Sequence, residues 1–401
     1  MNTHVEFDPD AEAEEIGTEG GATFITLSDP DITLDELAAV DSVLRSSRIS
    51  SGPVVEAFEE AFAAYLGRKY AVATSSGGMG LLLALLAHEI GPGDEVIASP
   101  YSFRETTHAI ALCGAKPVFA DIDYWAGTIA PSKIEPLINE RTKAIVASNT
   151  NGHPAPWSEL REIALKHRIA LIEDSTEAIG SKYRGGLVGT FGDVSVFDFS
   201  QPGPLVCGEG GMVVTDDIDI AVALRRFRAH KPGERASVAV TASAPFQCAL
   251  SDMTAALGLS QLRRIEEILE KRKHVEHLYF KHIKSFEGIK DPFLAPDATE
   301  VHWFLYVVHL GTRFSRSSRD AIIEDLLVEN VEAAAYSTPL HTQQRYLEFG
   351  YRRGNYLVTE KVADRAVALP FHSHLDDSHI EFIVATMKDA SVNIGAGAAI
   401  F

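Results

Sequence analysis

Cysteine is scarce in this chain: Cys113, Cys207 and Cys248 are the only three in 401 residues. Their spacing matches neither a disulfide framework nor a metal site, so they read as small buried side chains in a reducing compartment. Basic residues are also few, with 36 Lys plus Arg against 56 Asp plus Glu and a formal charge of −20. Such a surface repels nucleic-acid phosphates and anionic lipid, which argues against both as partners. Long apolar runs are missing, and no window reaches the roughly 20 residues of a membrane span. The start, Met1-Asn-Thr-His, lacks the basic and apolar regions of a signal peptide. The expectation is a cytoplasmic protein.

What is present is enough to fold. At 46% hydrophobic content, a chain of this length buries a large core and divides into two or more domains. Residues 1–22 hold seven carboxylates and no Lys or Arg, and read as a solvated tail. Residues 23–250 then alternate strand and helix patterns. Tyr70 is followed by the strand Ala71–Thr74, and Ser75-Ser76-Gly77-Gly78 leads into an apolar helix, Met79–Ala87. Further strands are expected at Glu95–Ala98, Lys116–Asp121, Ala144–Ser148, Ala170–Asp174, Val194–Phe199 and Met212–Thr215, with a helix at Trp157–His167. This alternation predicts a mainly parallel α/β sheet, whose ligands bind at the carboxyl ends of strands. Residues 251–401 predict a smaller α+β domain, with one long helix over Leu257–Phe280, a strand over Trp303–Leu310 and helices over Arg319–Val328 and His379–Met387.

The stretch Gly192–Gly211 organises the rest. A strand of β-branched and aromatic residues enters Pro202-Gly203-Pro204, must turn there, and resumes after Gly208-Glu-Gly-Gly211. The segment resembles the cofactor-lysine segment, S-F-x-P-x-K-x-x-x-x-G-E-G-G, of the DegT/DnrJ/StrS-type sugar aminotransferases, which are pyridoxal phosphate (PLP) enzymes of fold type I. Gly91-Pro-Gly-Asp-Glu-Val-Ile97, Gly114-Ala-Lys-Pro-Val-Phe119, Arg141-Thr-Lys-Ala-Ile145 and Tyr336-Ser-Thr-Pro-Leu-His341 are similar to the family in the same order. The resemblance runs from about Leu34 to Met387. It implies the fold type I architecture: a seven-stranded-type, mainly parallel sheet with helices on both faces, and a smaller C-terminal domain.

The resemblance also implies a site. Asp174 matches the carboxylate that pairs with the pyridine nitrogen, Phe103 the aromatic on the ring, and Ser76, Gly77 and Ser200 the surroundings of the phosphate. The departures fall in the same place. Gly203 stands at the Schiff-base lysine, Gly78 at a phosphate-binding Thr, Glu177 at a Gln near the ring oxygen, and Gln247 and Ala249 at an Asn and an Arg. Lys182 is the nearest lysine in sequence and is not expected to substitute. A structural alternative stands beside each assignment: Asp174 as a strand-end cap, Phe103 as core, Ser200 as a strand-end residue. The expected function is therefore an aminotransferase-like protein without the catalytic lysine, repurposed or catalytically silent. It would form a homodimer, or a heterodimer with a lysine-bearing paralogue. The alternative is an enzyme that holds PLP or its amine form (PMP) non-covalently and acts on a keto-sugar or other small carbonyl compound. No metal site is expected.

Overall fold

The computed structural model describes residues 24–229, 245–284, 289–290 and 292–397; the acidic tail expected over 1–22 lies outside the described residues. Helix α1 (Leu34–Leu44) starts on a capping box between Thr33 and Glu36. Helix α2 (Pro53–Leu66) starts on a proline and buries Phe58 and Phe62 completely. The alternating region follows with β1 (Tyr70–Thr74), α3 (Gly77–Ala87), β2 (Glu95–Ala98), α4 (Arg104–Leu112) and β3 (Lys116–Phe119). It continues through β4 (Thr142–Ser148), α5 (Trp157–His167), β5 (Ala170–Asp174), two short strands β6 (Lys182–Tyr183) and β7 (Gly186–Leu187), then β8 (Val194–Asp198), β9 (Gly211–Thr215) and α6 (Ile218–Arg228).

Seven of these strands form one sheet in the order β1-β9-β8-β5-β4-β2-β3. Strands β8, β5, β4, β2 and β3 pair in parallel, whereas β9 runs antiparallel to both its neighbours. The reason is the connection after β8. It carries no helix to cross the sheet, so the chain returns beside the strand it left. Apolar residues fill both faces: one with α3 and α4 against Val72, Val96 and Val213, the other with α2 against Phe197 and Met212.

The long helix expected over Leu257–Phe280 is two helices, α7 (Asp252–Arg263) and α8 (Ile265–Ile283). The break falls at Arg264, whose guanidinium reaches Asp31 at 2.7 Å and Glu36 at 3.0 Å. Helix α7 packs with α2, and the far end of α8 packs into a second core beneath a four-stranded sheet. That sheet comprises β10 (Ile289–Lys290), β12 (Tyr306–Leu310), β14 (Ala366–Leu369) and β13 (Ala334–Ala335), while β11 (Ala298–Glu300) pairs with β6. Helices α9 (Arg316–Val328) and α10 (Asp377–Gly397) cover the second core. The strand expected from Trp303 begins only at Tyr306. The N–H groups of His302 and Leu305 go instead to Ser181 Oγ (2.9 Å) and Asn151 Oδ1 (3.0 Å), beside the seven-stranded sheet.

One buried carboxylate fixes the loop before β8. Glu173 is fully buried, and it accepts the N–H groups of Gly189 (2.6 Å), Phe191 (2.8 Å) and Gly192 (3.0 Å) together with the Ser195 hydroxyl (2.9 Å). Removing it would strand three backbone donors in the interior, each costing about 1–3 kcal/mol. Glu173→Ala is expected to lose about 3–5 kcal/mol in a urea titration; an unchanged midpoint would show that the loop holds itself.

Candidate functional site

The carboxyl ends of β4, β5 and β8 meet the N-terminus of α3. Ser76 caps that helix, its hydroxyl oxygen accepting the Met79 N–H at 3.2 Å. The approach is too close for side chains. A Cβ on Gly211 would lie 2.4 Å from the Ser76 carbonyl carbon, and one on Gly77 would lie 2.7 Å from the Asp198 Cβ. Glycine at 77 and 211 thus lets the helix terminus sit directly against the ends of β8 and β9.

Asp174 ends β5 and is buried. It accepts the hydroxyls of Thr106 (2.7 Å) and Ser148 (3.1 Å) and the N–H of Thr176 (3.2 Å). A small cavity beside it is lined by Gly77, Gly78, Phe103, Glu105, Asp174 and Asp198, among others, and has a free volume of about 10 Å³, room for about one water. Phe103, at the start of α4, is also a wall of a neighbouring cavity of about 230 Å³ that includes Glu177, Tyr336 and Gln343. The structure therefore groups Gly77, Gly78, Phe103 and Asp174 around one space, and places Glu177 on the next. Gly203 lines neither cavity and lies 3.7 Å, by a Cβ built on it, from the Phe304 ring. Gln247 is exposed at φ +55°, one residue from Cys248, whose carbonyl accepts the Ser75 N–H at 2.7 Å.

Two carboxylates here were not singled out from sequence. Asp198 Oδ2 accepts the Gly77 N–H at 2.6 Å, so it occupies the first donor of α3. Its Oδ1 accepts the N–H of Ser200 at 2.9 Å and also the Ser200 hydroxyl, which turns that hydroxyl onto Asp198. Glu105 lies over Gly78, where a Cβ would come within 3.2 Å of its chain. Among the described residues Glu105 Oε2 is buried without a hydrogen-bond partner, while Oε1 pairs with Arg104. The signal for Asp198 was legible, since the spacing that puts Gly203 at the lysine also puts Asp198 at the serine of S-F-x-P-x-K. Glu105 carries no sequence signal, because its place over Gly78 is set by how α4 packs against α3.

Glu177 accepts the Asn151 N–H at 2.6 Å and the hydroxyl of Tyr336. Burial pushes its carboxyl up to about 7, with Asp174 adding to the shift and the two hydrogen bonds opposing it. No cluster of metal-ligating side chains and no helix long and apolar enough to cross a membrane is found among the described residues.

This architecture, with Asp174 at a central strand end where α/β sheets bind ligands, is shared with PLP-dependent aminotransferases. Comparison with known proteins narrows this. A model of the DegT/DnrJ/EryC1/StrS aminotransferase family matches residues 30–388. The spore coat polysaccharide biosynthesis protein SpsC of Bacillus subtilis (strain 168) is 32% identical, over 91% of this chain and 97% of its own. Among solved structures, the PMP form of the putative sugar aminotransferase Spr1654 from Streptococcus pneumoniae superposes with a TM-score of 0.87 at 25% identity, covering 94% of this chain and all of that one. PseC of Helicobacter pylori, an aminotransferase of pseudoaminic acid biosynthesis, gives 0.86 at 28%, covering 92% and 100%. The chain belongs to the DegT/DnrJ/EryC1/StrS aminotransferase family.

The raised Glu177 value has a consequence for stability. Between its ordinary value of 4.5 and about 7, the folded chain holds a proton that the unfolded chain has released. Stability therefore falls as pH rises through that window. Each unit converts to about 1.4 kcal/mol, and partial exposure of the carboxylate to the cavity discounts the sum to about 2 kcal/mol. Glu177→Gln retains an acceptor for Asn151 and Tyr336 and removes the titration. Its stability relative to the unmutated protein is expected to improve by about 2 kcal/mol between about pH 5 and about pH 8. A pH-independent difference would mean that Glu177 is ionised throughout.

Proposed function

We propose that this chain is an aminotransferase-fold protein that works without a lysine-bound cofactor, as a repurposed or catalytically silent subunit in a homodimer or beside a lysine-bearing paralogue. What supports this reading is Gly203, which stands where the resemblance to the family's segment puts the lysine, together with cavities around Asp174 and Glu177 that no lysine lines. Lys182, the nearest alternative in sequence, is tied to Glu300 at 2.5 Å in the small sheet of β6, β7 and β11.

The residues present fit PLP only in part. Asp174 and Phe103 suit its ring, since a carboxylate favours a protonated ring nitrogen and an aromatic gives a stacking face. The phosphate and aldehyde ends find no match. The first donor of α3 is already taken by Asp198, Glu105 adds a second carboxylate beside it, and there is no amine at 203. A lysine-bound PLP with its phosphate on α3 therefore does not fit these residues. Asp174 and Phe103 support one second reading: non-covalent use of PLP or PMP on a keto-sugar or other small carbonyl compound. The PLP and PMP forms of Spr1654 are in keeping with it.

Borohydride reduction after incubation with PLP separates lysine-dependent chemistry from both readings. No stoichiometric adduct at any one lysine is expected by peptide mapping, and no transamination with glutamate as donor. A single fully labelled lysine, Lys182 or another, would overturn the proposal. Light scattering at micromolar concentration is expected to give a dimer, and a monomer would contradict the proposed assembly.

A further inference from the structure

We propose that Asp198 is a resident anion at the N-terminus of α3, and that this one carboxylate sets the chain's affinity for phosphate-bearing ligands. The proposal rests on the reading that the site descends from a phosphate-binding one, and it concerns the same helix terminus. A helix of 11 residues gathers unpaired N–H groups and the positive end of its dipole at Gly77 and Gly78. Such a terminus favours an anion. Here the anion is part of the chain: Asp198 Oδ2 lies 2.6 Å from the Gly77 nitrogen.

The placement is held from three sides. The close packing of Gly77 on the Asp198 Cβ leaves the carboxylate little choice of direction. The Ser200 N–H, at 2.9 Å, and its hydroxyl fix the second oxygen. Glu105 and Asp174 line the same cavity, which contains no lysine or arginine. A phosphate entering there would have to displace Asp198 from Gly77 beside Asp174 and Glu105, with the nearest cation, Arg104, already paired to Glu105 and outside the cavity lining. A strand-end Asp that merely shapes its own turn would accept from Ser200 alone. The contact to Gly77, 121 positions away in sequence, is what ties Asp198 to the helix terminus.

The test uses the full chain and two probes, inorganic phosphate and PLP, in calorimetric titrations of the unmutated protein, Asp198→Asn and Asp198→Ser. The Asn variant keeps acceptors for Gly77 or Ser200 and removes the charge, and the Ser variant also clears space. Both are expected to bind both probes at least about tenfold more tightly than the unmutated protein, with Ser the tighter of the two. Inorganic phosphate has no aldehyde, so its gain reads the helix terminus whether or not any lysine reacts with PLP. A turn-only role predicts reduced thermal stability in Asp198→Ser and no change in phosphate affinity for Asp198→Asn. Unchanged affinities in folded Asp198→Asn would overturn the proposal, as would phosphate binding in the unmutated protein as tight as in the variants.

Discussion

The close packing of one helix terminus on the ends of two strands sets the geometry of this site. Gly77 and Gly211 have no side chains because the backbone of the Ser76–Gly77 turn lies against the first residue of β9 and the last of β8. That contact sets what faces the α3 dipole, since it brings the side chain of the residue ending β8 beside the Gly77 N–H. With Asp at 198, the answer is a carboxylate supplied by the chain. The apolar packing of α3, through Leu81, Leu83 and Leu85, serves to hold this junction in place.

Charge is distributed around the junction in a way that separates stability from binding. Glu173 is buried deeper and is answered by three backbone N–H groups, two hydroxyls and the Asn149 amide, so it fastens the loop before β8. Asp174, one residue on, is answered by two hydroxyls and one N–H. Asp198 takes the helix terminus, and Glu105 stands over it with one oxygen unanswered among the described residues. Negative charge near a helix N-terminus stabilises the helix. The same charge opposes a phosphate. Under the proposed function, in which no lysine holds the cofactor, a carboxylate at 198 leaves the helix capped at no cost to binding, and Gly203 and Asp198 fall within one short segment.

The elements of the large sheet were legible because strand patterns and their turn residues agree: Ala170–Asp174 and Trp157–His167 stand where the residues indicate. The break at Arg264 was not, since its cause is an ion pair to Asp31 and Glu36, more than 200 positions away. The strand starts at Tyr306 and not at Trp303 for a similar reason, the donors of His302 and Leu305 being claimed by Ser181 and Asn151 across the molecule. At the site, Asp174, Phe103, Gly77 and Gly78 come together as a family pattern implies. The hydroxyl of Ser200 is turned to Asp198, which stands at the serine of the same pattern. The pairing of Glu177 with Tyr336 spans 159 positions and has no local signal.

If Gly203 and Asp198 together keep the cofactor from being held covalently, as proposed, restoring either alone is insufficient. The most direct measurement is the extent of borohydride-fixed PLP at residue 203 in Gly203→Lys, and in the same variant combined with Asp198→Ser. A Cβ at 203 meets nothing closer than 3.6 Å, so a side chain can start there without a backbone clash in both. The account predicts little labelling in the single variant and a clear rise when Asp198 is also replaced. Stoichiometric labelling of Gly203→Lys alone, with no gain from the second change, would contradict it.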